Sequence, residues 1–118
     1  MFEVVLSVIS AVMMGNGYYE QPTDTFRTFE ELCVNAGFEV ETYYVTTEDQ
    51  FINQMHRVYD PNWERPFKGA VYLQHGFTDS ADNFVINDKS KAPAFVLASE
   101  GYDVYLGNLR GNTFSQGH

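Results

Sequence analysis

The chain has 118 residues, carries 16 acidic against 7 basic side chains for a net charge of −9, and is 44% hydrophobic and 16% aromatic. That makes it one domain or a piece of one, large enough for a core and too apolar to be a disordered or low-complexity segment. The acidic balance speaks against nucleic acid as a partner, because a phosphate backbone would be repelled. A single cysteine, Cys33, cannot form an internal disulfide, and His56, His75 and His118 stand in three separate segments without metal-ligand spacing. No metal and no cofactor is expected.

In chain order, Phe2 to Gly15 is apolar apart from Glu3, Ser7 and Ser10. It is too short to span a bilayer as a helix and has no Lys or Arg ahead of it, so it is either a weak signal peptide or a retained apolar arm. Gly15 to Pro22 is a turn-rich linker. Residues 1–22 therefore form an arm and linker, and residues 23–118 the folded domain. From Thr25 to Ala36, Phe26, Phe29, Leu32, Cys33 and Ala36 share one helical face, Thr28 and Glu31 match a capping box, and Gly37 is the stop. Cys33 is expected on the buried side of this helix.

Phe38 to Thr47 alternates with period two and predicts a strand, Glu48-Asp49-Gln50 a turn, and Phe51 to Tyr59 the returning strand of an antiparallel hairpin. His56 is expected on a polar face of that strand. Asp60 to Pro66 is a surface loop whose two prolines forbid ladder hydrogen bonds, with Trp63 packed on the hairpin.

Val71-Tyr72-Leu73-Gln74, closed by His75-Gly76-Phe77, predicts a short buried strand ending in a sharp turn. Thr78 to Phe84 holds several possible helix N-caps. Ala92 to Glu100 predicts a helix with Pro93 in its first turn and Gly101 as its stop, and Gly101 to Asn108 a second strand. Strand, helix and strand make a βαβ unit, so the two strands should be parallel. Ligand chemistry belongs at their carboxyl ends, where His75-Gly76-Phe77 and Gly107-Asn108 sit. Asp103 is expected as a strand-end carboxylate and His118 as a loop histidine, neither with a positioned partner. Leu109 to His118 is a glycine-punctuated loop.

Thr47-Glu48-Asp49, Leu73-Gln74-His75-Gly76, Asn83-Phe84, Leu97-Ala98 with Gly101-Tyr102-Asp103-Val104, and Leu106-Gly107-Asn108-Leu109-Arg110-Gly111-Asn112-Thr113 occur here in an order and spacing that resembles the acid lipases, including gastric and lysosomal acid lipases. The resemblance implies an α/β fold, the N-terminal portion of an α/β hydrolase: a short helix, an antiparallel hairpin and a parallel βαβ unit, with the first four strands in spatial order 1-2-4-3. It also implies hydrolysis of lipid esters such as triacylglycerols or sterol esters by a Ser-Asp-His triad, and a secreted or lysosomal location. By position, the backbone N–H of Phe77 would be one oxyanion-hole donor, Gly76 would turn the backbone at positive φ, and His75 would orient the loop.

Gln50 stands where the family has glycine, and a left-handed residue there would cost roughly 1–2 kcal/mol. Asp79 and Asp82 should point away from the oxyanion, which a nearby carboxylate would oppose. The 118 residues contain no Gly-x-Ser-x-Gly nucleophile turn. Phe114-Ser115-Gln116-Gly117 imitates its tail, but Thr113 takes the place of the first glycine, which argues against Ser115 as nucleophile. The expectation is an oxyanion-loop portion of a carboxylic ester hydrolase with no turnover of its own. The alternative is a non-catalytic interaction subunit, docking on partner proteins or a membrane surface through a bare, apolar strand edge at Ala70–Gln74 and through the N-terminal arm.

Overall fold

The structure, a computed structural model, describes residues 27–118. The expected arm and linker lie outside the described residues, and the helix expected from Thr25 is corrected: Thr28 is extended and the helix begins at Phe29. Helix α1 spans Phe29–Asn35 and starts where the capping box places it: Thr28 Oγ1 accepts the Glu31 N–H at 3.2 Å and Glu31 Oε2 accepts the Thr28 N–H at 2.8 Å. A cap of this kind contributes about 1 kcal/mol. Gly37, at φ +91°, ends the helix in the left-handed conformation that glycine adopts without a Cβ clash.

Strands β1 (Glu39–Thr46) and β2 (Ile52–Tyr59) form the antiparallel hairpin, in register from Glu39 opposite Tyr59 to Thr46 opposite Ile52. Gln50 closes its turn at φ +70°, so the strain anticipated there is present. Strand β3 (Ala70–Gln74), a short 3₁₀ helix (Ala81–Phe84), helix α2 (Pro93–Ser99) and strand β4 (Asp103–Gly107) follow. The sheet order is β1-β2-β4-β3, with β4 antiparallel to β2 and parallel to β3. This is the expected order, and the architecture is that of the N-terminal portion of an α/β hydrolase.

Register decides the two faces of the sheet. Val58 pairs with Val104, His56 with Leu106, Val71 with Val104 and Leu73 with Leu106, so these side chains share one face with Val40 and Thr42. Both helices cover that face with Phe29, Leu32, Cys33, Phe95 and Ala98, and Phe38 stacks on Phe95 with ring centroids 4.9 Å apart. Each fully buried aromatic or aliphatic side chain contributes about 1.5–3 kcal/mol. Cys33 sits in this core as expected, its thiol pushed up to about 12 chiefly by burial.

Four further expectations are corrected. β3 is not a buried strand: as the last strand of the sheet it buries Val71 and Leu73 only partly and leaves Ala70, Tyr72 and Gln74 exposed. His56 lies not on a polar face but at 0% exposure in the core, stacked on Phe29 at 4.0 Å with Phe114 edge-on at 5.1 Å. An in-register hairpin puts it on the same side as Val58, and its even position outweighs its polarity. Trp63 packs over Gly101, where a Cβ would overlap the indole ring, and Lys68 Nζ lies 5.2 Å from the ring centroid; the indole covers the α2–β4 turn, a contact that the expected hairpin packing did not include.

The fourth correction concerns Asp103. It has a positioned partner on the sheet's other face: Arg57 grips it through Nε at 2.7 Å and Nη2 at 2.9 Å, and reaches Glu41 through Nη1 at 3.0 Å. Tyr43 donates to Glu41, Tyr59 to Glu39 at 2.7 Å and Tyr105 to Asp103 at 3.2 Å, while the Arg57 guanidinium lies 4.8 Å from the Tyr59 ring. Strand β4 thus joins a hydrocarbon core on one side to an ion-paired, tyrosine-lined surface on the other.

Candidate functional site

The carboxyl ends of β3 and β4 lie side by side because Gln74 pairs with Gly107 in the parallel ladder. The loops leaving them, 75–80 and 109–113, enclose a cleft of about 600 Å³ whose lining includes His75, Gly76, Phe77, Asp79, Arg110 and Asn112. Arg110 binds Asp49 of the hairpin turn through Nη1 at 2.6 Å and Nη2 at 3.3 Å, and its guanidinium lies 4.3 Å from the Phe51 ring. The guanidinium, helped by the Thr47 hydroxyl, draws the Asp49 carboxyl down to about 2. The hairpin turn is thereby tied to the loop after β4 at the edge of the cleft.

Beneath the cleft the hydrogen bonds define one another. His75, only 6% exposed, accepts the Leu109 N–H on Nε2 at 3.0 Å. A backbone N–H can only donate, so Nε2 is unprotonated, and the ring proton sits on Nδ1, 2.8 Å from the Gly76 carbonyl oxygen. Asn112 Oδ1 accepts the N–H groups of Phe114 and Ser115, each at 3.0 Å, which turns its Nδ2 toward His75 Nε2 at 3.2 Å and Asn108 Oδ1 at 2.9 Å. Asn108 Oδ1 also takes the Ala81 N–H at 3.0 Å, anchoring the 3₁₀ helix.

His75 and Gly76 accordingly sit together at the end of β3, with His75 bonded to the Gly76 carbonyl and to Leu109 and Asn112 of the loop after β4. The Phe77 N–H has no acceptor among the described residues. The Phe77 side chain stands in solvent at 97% exposure. The expected positive φ at Gly76 is corrected: the left-handed residue of this loop is Thr78, at φ +62°. The sharp turn comes two residues later, closed by the Asp79 N–H on the Gly76 carbonyl at 3.3 Å. A β-branched residue held there is strained, by roughly 1–2 kcal/mol.

Of the two acids expected to point away, Asp82 lies outside the cleft lining, with Oδ2 accepting the Ser80 hydroxyl at 3.1 Å and its carboxyl raised by burial. Asp79 instead lines the cleft, its Oδ1 held by the Ser80 N–H at 2.8 Å. Ser115 is 1% exposed; its hydroxyl donates to the Asn108 carbonyl at 3.0 Å and accepts the Gln54 N–H at 2.9 Å, so it joins the loop to β2. His118 lies exposed near the Phe51 ring. No group of His, Cys, Asp or Glu able to hold a metal occurs among the described residues.

The family described as the partial alpha/beta-hydrolase lipase region matches residues 29–88, just over half the chain. The chain belongs to this lipase family. Lipase lipl-1 of Caenorhabditis elegans is 35% identical over 98% of this chain and 29% of its own length, and human Lipase member K is 46% identical over 70% of this chain and 21% of its own. Lipase 1 of Drosophila melanogaster is 40% identical over 80% and 20% respectively. Brefeldin A esterase, a bacterial homologue of human hormone sensitive lipase, aligns structurally over 98% of this chain and 28% of its own with a TM-score of 0.49 and 19% identity. The chain spans less than a third of the length of these lipases.

The quoted runs that resemble acid lipases meet in space, across the matched region and the loop after β4. Asp49 holds Arg110, His75 meets Leu109 and Asn112, and Asn108 meets Ala81, beside Asn83-Phe84. The sequence pattern alone does not single out Asn108 or Asn112. The signal available was their place in the most specific of those runs, two asparagines flanking Arg110-Gly111.

Proposed function

We propose that the chain supplies the oxyanion-loop half of a lipid-ester hydrolase site. One donor is the Phe77 N–H at the carboxyl end of β3. In this fold its counterpart is the N–H of the residue following the nucleophilic serine, in a Gly-x-Ser-x-Gly turn that the 118 residues do not contain. The observation that carries the proposal is an N–H without an acceptor among the described residues, on a peptide whose carbonyl is bonded to buried His75, at the edge of an open cleft. Losing one such donor lowers acyl-transfer rates by about 10²–10³. The solvent-exposed Phe77 ring offers apolar surface to an acyl chain. Triacylglycerols or sterol esters are the proposed substrate class.

On this proposal the chain alone turns over no ester. Purified protein incubated with a short-chain p-nitrophenyl ester should release nitrophenol at the buffer rate, and Ser115→Ala should leave that unchanged. Enzymatic release by the wild-type chain would contradict the half-site. Reading the transcript past the His118 codon is the companion experiment: an open frame encoding Gly-x-Ser-x-Gly supplies the other half.

A second proposal rests on the sheet edge. β3 is outermost, its far side has no strand partner among the described residues, and Tyr72 on it is 57% exposed. Such an edge accepts an added strand from a protein partner. A stable monomer by sedimentation that retains no partner in pull-down would count against it.

A further inference from the structure

We propose that Asn112 is a positioning residue of the oxyanion loop, acting through His75 on the Phe77 N–H. The inference rests on the proposed oxyanion role of that N–H only for its functional meaning; the mechanical chain stands on hydrogen bonds alone. The Gly76 carbonyl and the Phe77 N–H belong to one peptide plane, and in a trans peptide they point in opposite directions. Among the described residues, the sole cis bond is Arg65–Pro66. Whatever holds the Gly76 oxygen therefore aims the Phe77 N–H. That oxygen has two donors, His75 Nδ1 at 2.8 Å and the Asp79 N–H at 3.3 Å, and in the neutral ring Nδ1 donates only while Nε2 is unprotonated.

Two donors keep Nε2 in that state, the Leu109 N–H and Asn112 Nδ2. The Asn112 amide cannot turn over, because its oxygen is claimed by two backbone N–H groups, those of Phe114 and Ser115. Asn108 Oδ1, fixed in its turn by the Ala81 N–H, takes the second Nδ2 proton. An amide at position 112 thus transmits the backbone geometry of the loop after β4 to the peptide after β3. A carboxylate of the same shape would keep the two backbone bonds and reverse the polarity facing His75.

The test uses the 118-residue protein without substrate, by ¹⁵N NMR of the histidine side chains and of the Phe77 amide. Wild-type His75 should show a protonated Nδ1 and an unprotonated Nε2 at neutral pH; a proton on Nε2 overturns the proposal with no variant needed. Asn112→Asp retains the acceptor for Phe114 and Ser115, so a purely structural role predicts an unchanged His75. The proposal predicts that Nε2 gains a proton in the variant, facing the new carboxylate. An Nε2 still unprotonated there refutes it.

For the second link, His75→Asn keeps a donor at the Nδ1 position and His75→Gln does not. The Phe77 N–H dipolar coupling should hold in the first and change in the second, and equal couplings in both would overturn the link to Gly76. These readouts involve no ester chemistry. Should the oxyanion proposal fail, they would still stand. Should they fail, the Phe77 N–H could serve an oxyanion unaided.

Discussion

Acidification should weaken this fold through one residue, His56. Its ring is fully buried between Phe29 and Phe114; Nδ1 lies 3.1 Å from Thr42 Oγ1, and Nε2 has no hydrogen-bond partner among the described residues. Burial lowers its pKa from the usual 6.5, against a smaller opposing pull from Glu30 on α1. In the unfolded chain the imidazole takes up a proton below about pH 6.5, whereas in the folded chain it resists. Stability is therefore full above the unfolded pKa and is lost as pH falls, until the depressed folded pKa is reached. The limiting slope is one proton, about 1.4 kcal/mol per pH unit, or up to roughly 2 kcal/mol between pH 6.5 and pH 5.

His56→Leu removes the titrating group at similar volume. At about pH 7 its stability should lie within about 1 kcal/mol of wild type, because the lost Thr42 bond and ring stacking are offset by relief of the orphaned Nε2. The assay is urea unfolding of both proteins across this pH range, read as the difference between their slopes. Because His75, His118 and the carboxylates are common to both, only His56 contributes to that difference. An equal fall in both proteins on acidification would refute the reasoning.

Other changes have signs set by the same geometry. Arg57→Met alone should destabilise by about 3 kcal/mol, since it strands the largely buried Asp103 charge; Asp103→Leu should cost less because Arg57 keeps Glu41, and the double variant should lose less than Arg57→Met in urea unfolding. Gln50→Gly should raise stability by about 0.5–1 kcal/mol in the same assay by relieving the left-handed turn residue, with part of the gain returned to chain entropy. Ser115→Ala should cost about 1–2 kcal/mol in thermal or urea unfolding, because the Gln54 N–H and the Asn108 carbonyl each lose a buried partner.

Periodicity and punctuation in the sequence determined the elements. Thr28 and Glu31 with Gly37 bounded the first helix, the alternation on either side of Glu48-Asp49-Gln50 gave the hairpin, and two glycine-bounded runs around Pro93 gave the parallel unit. These signals are local: a capping box, a left-handed stop and a period of two each act within a few residues. The order and spacing of the short motifs placed the chain with the lipases and located the loop after β3. What sequence could not contain was which side of the sheet a residue faces and what waits there. Register alone sent His56 inward beside Val58 and Arg57 outward to Asp103. The parallel pairing of Gln74 with Gly107 brought Asn112 under His75 across 37 positions of chain. Polarity is a property of one side chain, whereas burial and tautomer depend on neighbours that only the folded sheet brings together.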